Sequence, residues 1–162
     1  AVLAQRLGIS TSPNARIPPV VKATYDYVDE RGEFLFQVVR YVPKSFRQRT
    51  KNAQGDWIWS ASGVRRVLYR LPEILASPEH ETVFVVEGEK DVEALRSLGF
   101  AATCNPGGAG KLTEEMAGPL LGRRVVIVAD SDDAGRRHAD KVARLLYRRV
   151  TSLKIVEMPD LR

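Results

Sequence analysis

The sequence predicts an α/β fold: a mostly parallel sheet with helices on both faces, preceded by a small β-rich α+β subdomain. Three observations predict it. From residue 81 onward, strand-like apolar runs alternate with helix-like stretches, and this alternation is the pattern of a parallel sheet covered by its own crossovers. Before that point, TYDYV, the turn text DERG and EFLFQVVRYV read as two β-rich runs joined as a hairpin. The chain has 162 residues, 44% of them hydrophobic, which is enough for one good core or for one domain with a small companion.

Residues 1–20 end in SPNARIPPV, whose prolines and small polar residues block regular structure, so residues 1–22 read as a short helix and a linker. Residues 23–80 form the β-rich subdomain. After the hairpin, WIWS at 57–60 and VRRVLYRL at 64–71 read as further short strands. Pro72 sits where the short helix PEILAS begins, because its missing N–H costs nothing at a first helical position.

Residues 81–162 are the α/β unit. TVFVVEG is a buried strand, KDVEALRSLG a helix closed by Gly99, and FAATCN a second strand running into the loop PGGAGK. LTEEMAGPLL is a helix, RRVVIVAD a third strand, DDAGRRHADKVARLLYRRV a long helix and SLKIVEMP a fourth strand. On the long helix Ala139, Val142, Ala143, Leu146 and Val150 share one face, which predicts packing on the sheet. Arg137, Lys141, Arg144 and Arg148 share another; spaced for ion pairs from Asp133 to Arg137 and Asp140 to Arg144, it suits a solvated face better than a nucleic-acid contact.

Charge divides the chain. Residues 1–80 hold 12 Lys and Arg against 7 Asp and Glu, while residues 81–162 hold 13 of each. A basic front half suits a polyanion, and a balanced back half that concentrates its carboxylates suits a metal. No apolar run approaches the roughly 20 residues of a membrane span, and AVLAQRLGIS is no signal peptide, so a cytoplasmic protein without a membrane partner is expected. The single cysteine, Cys104, excludes an internal disulfide; with only His80 and His138 beside it, no zinc set is expected.

Two strands end in carboxylates. VFVVEG delivers Glu87, and VVIVADSDDAG delivers Asp130 with Asp132 two residues later. Ligands of open parallel sheets bind beyond the carboxyl ends of the strands, so these groups should emerge at one rim. Three carboxylates in one crevice repel one another unless a cation neutralises them, and an all-oxygen set suits Mg²⁺ or Mn²⁺. Gly88 and Gly135 let the backbone turn beside the acids, and Asp91 either supports the site or favours a helix N-terminus. Alone, an Asp-x-Asp before a helix is most often a cap.

The ordered combination is more specific: strand, Glu87-Gly88-x-x-Asp91, about forty residues of α/β alternation, strand, Asp130-x-Asp132-x-x-Gly135. It resembles the Toprim family, shared by bacterial-type primases, type IA and type II topoisomerases and some nucleases. The resemblance implies a Rossmann-like Toprim domain in which Glu87 is a ligand or general base and Asp130 with Asp132 binds metal. Asp133 stands where related phage-type primases often carry another acid, and either helps bind metal or caps the helix.

The loop NPGGAGK, residues 105–111, is either a phosphate cradle with Lys111 as its point charge or a plain turn; it lacks the P-loop spacing. RYVPKSFRQRTK sets Arg40, Lys44, Arg47, Arg49 and Lys51 around Tyr41 and Phe46, with Trp57 and Trp59 following. Cations that track phosphates and rings that stack on bases make a single-strand groove, although Trp57 and Trp59 share a strand face and suit a core as well. Arg65, Arg66 and Arg70, just ahead of the α/β half, are candidates to reach its metal site.

This front half, with SFRQR, WIW and GVRRVLYRLPE, resembles the segment before the Toprim domain in phage and mobile-element primases. The resemblance implies a DNA primase core: metal-dependent synthesis of RNA primers from nucleoside triphosphates on a single-stranded DNA template, with a replicative helicase as a further partner. The alternatives are Toprim strand cleavage, as in nucleases and topoisomerases, and a non-catalytic nucleic-acid-binding module.

Overall fold

A computed structural model describes residues 18–108 and 110–157; the helix and linker expected before residue 18 lie outside them. The front half is an antiparallel sheet of order β1-β2-β3-β4, formed by β1 (Val20–Val28), β2 (Phe34–Val42), β3 (Ser45–Lys51) and β4 (Trp57–Ile58). The β1–β2 turn forms where DERG predicts it. The Asp29 carboxylate accepts the backbone N–H groups of Arg31 and Glu33 at 2.8 and 2.9 Å, and Gly32 takes φ 84°, a conformation only glycine adopts cheaply. β1 starts at Val20, inside the stretch expected to be linker.

One strand of this half is new, and one expectation changes. SFRQRTK is a strand, β3, paired along β2 from Gln37↔Arg49 to Tyr41↔Ser45. Residues 64–70, expected as a strand, form none. Their side chains do alternate, with Leu68 in one core and Val67 and Tyr69 in the other. Their backbone, however, runs between the two sheets and meets β6 (Ala101–Thr103) at one point: the Tyr69 N–H donates to the Cys104 carbonyl and the Thr103 hydroxyl to the Tyr69 carbonyl.

The second half is the predicted parallel sheet. Its order is β6-β5-β7-β8, with β5 (Thr82–Val85), β7 (Arg124–Ala129) and β8 (Ser152–Glu157). Val85 pairs with both Thr103 and Ile127, so β5 and β6 end at the same level, and β7 runs two residues further, to Ala129. Val83 and Val85 face one core with Ile127, Val142 and Leu146, while Val86 and Ala102 face the other with Val92, Tyr27 and Phe36.

Helices α1 (Leu71–Ala76), α2 (Glu89–Ser97), α3 (Glu114–Ala117) and α4 (Asp133–Leu146) complete the fold. LTEEMAGPLL is broken into α3 and a 3₁₀ turn at Gly118–Leu120, because Gly118 and Pro119 are poor helix residues. The long helix stops at Leu146. Arg148 turns into the left-handed region at φ 62°, and the Gly122 N–H donates to the Arg149 carbonyl, tying this exit to the chain before β7. Asp133 pairs with Arg136 rather than Arg137, and among the described residues no ion pair joins Asp140 to Arg144. No described helix is long and apolar enough to cross a membrane.

Candidate active site: an acidic rim opposite a basic strand

The strand ends fix the acids. Glu87 follows β5 by two residues, and Asp130 follows β7 directly. The rim is tightly built around Gly135, which packs in the first turn of α4. A Cβ there would lie 2.5 Å from the Asp130 carbonyl oxygen and 2.6 Å from Glu87 Oε1. Asp132 caps α4, its Oδ1 accepting the Gly135 N–H at 2.7 Å, and Asp133 is exposed at the helix start, paired with Arg136 at 2.7 Å. Gly88 caps α2, and Asp91 lies in its first turn.

Electrostatics single out Glu87. Burial, then the neighbouring charges of Asp130 and Asp132, push its pKa above the ordinary carboxylate value, and the Asp130 backbone N–H only partly offsets them. Its Oε1 is buried and has no hydrogen-bond partner. A buried carboxylate oxygen without a donor, among like charges, fits a hard divalent cation. Among the described residues no three His, Cys, Asp or Glu side chains are gathered closely enough to hold one ion as they stand, and Asp132 is engaged by its cap.

Across from the rim lies the hairpin. A cleft of about 660 Å³ is lined by Glu87, Asp91 and Asp130 on one side, and by Arg40, Lys44 and Arg47 on the other. Gly107, Gly108 and Lys111 of the glycine loop close one end. The loop is held from both sides. Asn105 Nδ2 donates to the Pro106 and Gly108 carbonyls, the Gly110 N–H donates to His138 Nδ1 at 2.8 Å, and the Lys141 ammonium reaches the Gly110 carbonyl. Burial, then Lys141, hold the His138 pKa below its ordinary value, which keeps Nδ1 free to accept. Gly107, Gly108 and Gly110 all have φ near 80°, and the Lys111 stem crosses within 3.2 Å of where a Gly107 Cβ would sit.

From Arg47 at the cleft, β3 carries a ladder of cations and rings outward. The Arg49 guanidinium lies 3.8 Å from the Trp57 ring centre and 5.1 Å from that of Trp59; Arg47 lies 4.5 Å from Trp59. Lys51 follows between Phe34 and Trp57. Trp57 and Trp59 are 40% and 44% exposed, which rules out the core reading: β4 is a two-residue edge strand whose rings meet the β3 cations and Phe34 rather than a core.

The remaining arginines are placed differently from one another. Arg66 donates to Gln48 Oε1 at 2.7 Å and lies over Phe36, beside the glycine loop. Arg65 is engaged by Glu30, whose carboxyl it lowers to about 2. Arg70 is paired with Glu73 and Glu93 between α1 and α2, and none of Arg65, Arg66 and Arg70 lines the cleft. Two cleft-related contacts, those of His138 and Tyr27, were not anticipated from the sequence. His138 lies on the buried face of α4 at the spacing Gly135, His138, Ala139, Val142, a signal that was available. The bond from the Tyr27 hydroxyl to Glu89 spans 62 positions and has no local signal.

Residues 81–157 match the family model of the Toprim domain. Among solved structures, the chain is similar to the primase fragment of the bacteriophage T7 primase–helicase protein, at 20% identity and TM-score 0.59, covering 84% of this chain and 52% of that one. It is similar to the E. coli primase catalytic core at 22% identity and TM-score 0.62, covering 86% and 45%. It is also similar to the DnaG primase catalytic domain bound to ssDNA, at 24% identity and TM-score 0.63, with the same coverage. The chain thus spans about half the length of these structures, and at such identities the likeness is one of fold. No curated protein sequence matches it.

Proposed function

We propose, from the premise that residues 81–157 of this chain are a Toprim domain, that the chain is the catalytic core of a DNA primase, joining ribonucleotides on a single-stranded DNA template. The observation that carries the reading is the cleft, whose acidic rim faces cations of the hairpin across a space of nucleotide size. Toprim domains generally bind Mg²⁺ through acidic residues. Here Glu87, Asp130 and Asp132 would hold Mg²⁺ or Mn²⁺, with Asp132 leaving its cap, and Asp133 stays with Arg136. The cation supplies charge neutralisation at phosphoryl oxygens.

The chain's own residues do the rest. Lys111 and the cations of β2 and β3 take the triphosphate and template phosphates, and the glycine loop shapes the end of the cleft. Glu87, whose raised pKa suits it to the task, would accept a proton from an attacking hydroxyl. The Arg47, Arg49 and Lys51 ladder carries the template away from the cleft, its exposed indoles offering faces to the bases. Incorporation of labelled ribonucleotides on varied single-stranded templates, with Mg²⁺ or Mn²⁺, tests the proposal. Cleavage of a labelled strand without incorporation, or binding alone, would replace it.

Two expected results arise here. Converting Arg47 and Arg49 to Glu should weaken single-strand binding and lower the log–log salt slope by about 1.4, if each guanidinium holds one phosphate. An unchanged slope would move the binding surface to the α4 stripe around Arg144.

The second concerns the metal-free rim. Asp130→Asn removes one like charge beside Glu87, so in chelator the variant should melt higher than the parent at neutral pH. Because the folded-state pKa of Glu87 is raised, its ionisation is destabilising. The gain should therefore be small at acid pH and appear as pH rises through that raised value. Added Mg²⁺ or Mn²⁺ should raise the parent's Tm and do much less for the variant. A variant that melts lower in chelator, with both proteins shifted equally by metal, would make Asp130 a structural residue.

A further inference from the structure

Glu89 is the first residue of α2, 7% exposed, and it lines the cleft beside Glu87 and Asp91. A carboxylate this buried is costly unless both oxygens are satisfied. One is: Oε1 accepts the Tyr27 hydroxyl at 2.8 Å. Tyr27 is itself fully buried and stacked on Phe36, with ring centres 4.5 Å apart, so this donor is rigid. Among the described residues no cation forms an ion pair with Glu89, and no other hydrogen bond reaches it. Its place at the helix N-terminus favours negative charge there, but accounts for neither its burial in the cleft wall nor its unused oxygen.

We infer that Glu89 reads the ribose of the incoming nucleotide, its free oxygen accepting the 2′-hydroxyl, so that it sets the preference for ribonucleotides over deoxyribonucleotides. The inference rests on the cleft being the nucleotide site proposed above. An ionised carboxylate only accepts, and sugar hydroxyls donate; acidic residues recognise ribose hydroxyls in other nucleotide sites for the same reason. A deoxyribonucleotide offers that oxygen no donor, and a site built around a hydroxyl rejects the analogue that lacks it. Tyr27 acts through Glu89 as a positioning residue, bringing the front sheet to bear on the choice of sugar.

The test is equilibrium binding of ATP and dATP with Mg²⁺, without template, to the parent chain, Glu89→Gln and Tyr27→Phe. The parent should bind ATP at least about tenfold tighter than dATP. In Glu89→Gln that ratio should fall to within about twofold, through weaker ATP binding with dATP affinity kept. Tyr27→Phe should lie between, and matching melting temperatures would separate these shifts from misfolding. A ratio unchanged in Glu89→Gln overturns the inference. So does loss of the Mg²⁺-induced Tm shift in that variant, which would make Glu89 a cation ligand. Equal binding of both nucleotides by the parent overturns it and leaves the primase reading standing, whereas a folded parent that binds neither overturns both.

Discussion

Glu87→Gln should bring ribonucleotide incorporation down by on the order of 10³-fold or more while single-strand affinity stays within about twofold. The substitution keeps the shape of the side chain and removes its charge. Glu87 sits on the acidic rim with a buried, unpartnered Oε1, whereas the cations proposed to hold the strand lie on β2 and β3. Chemistry and strand binding should therefore separate. Incorporation assays at saturating template, beside a titration of labelled single strand, measure both. Full activity in the variant would remove Glu87 from the chemistry, and a parallel loss of binding would place it in the strand path.

Gly135→Ala should destabilise the fold by about 1–3 kcal/mol, the usual cost of forcing a methyl group into filled space. On an open helix the same change would stabilise by roughly 1 kcal/mol, since alanine is the better helix former. The sign is decided by what the new Cβ meets. The Asp130 carbonyl at 2.5 Å is backbone at the end of β7 and cannot swing away, and Glu87 Oε1 lies at 2.6 Å. The helix must back off the strand, and the rim opens with it. Urea unfolding at neutral pH reads the stability, and a weakened Mg²⁺-induced Tm shift reads the rim. A variant as stable as the parent would mean that the helix and strand ends are not in such close contact.

The acidic rim was legible because it depends on short-range rules. An apolar run ending in Glu87 and another ending in Asp130 need only a parallel sheet to bring their ends to one edge, and alternation along the chain implies that sheet. The cleft's other wall was only half legible. The basic and aromatic residues of 40–59 could be identified as a group, but β3 went unread because SFRQRTK is polar on both faces and carries no period-two contrast. The reverse happened at 64–70. Alternating burial of Val67, Leu68 and Tyr69 imitates a strand, yet periodicity reports which side is buried and not whether a ladder partner exists. Tyr147 to Val150 likewise continue a helical text that the left-handed turn at Arg148 ends. Contacts such as Tyr27 to Glu89 are set by how two sheets meet, which no window of sequence contains.

The ladder on β3 has an optical consequence. The chain contains only two tryptophans, and both stand in that ladder, under the guanidinium groups of Arg47 and Arg49. Its intrinsic indole emission therefore originates from one exposed face of the front sheet and from nowhere in the acidic rim or the parallel sheet. A strand lying on that face changes the surroundings of every emitter at once, whereas an ion settling at Glu87 leaves them as they were. The unlabelled protein thus carries its own reporter, one that watches the template surface and is blind to the metal.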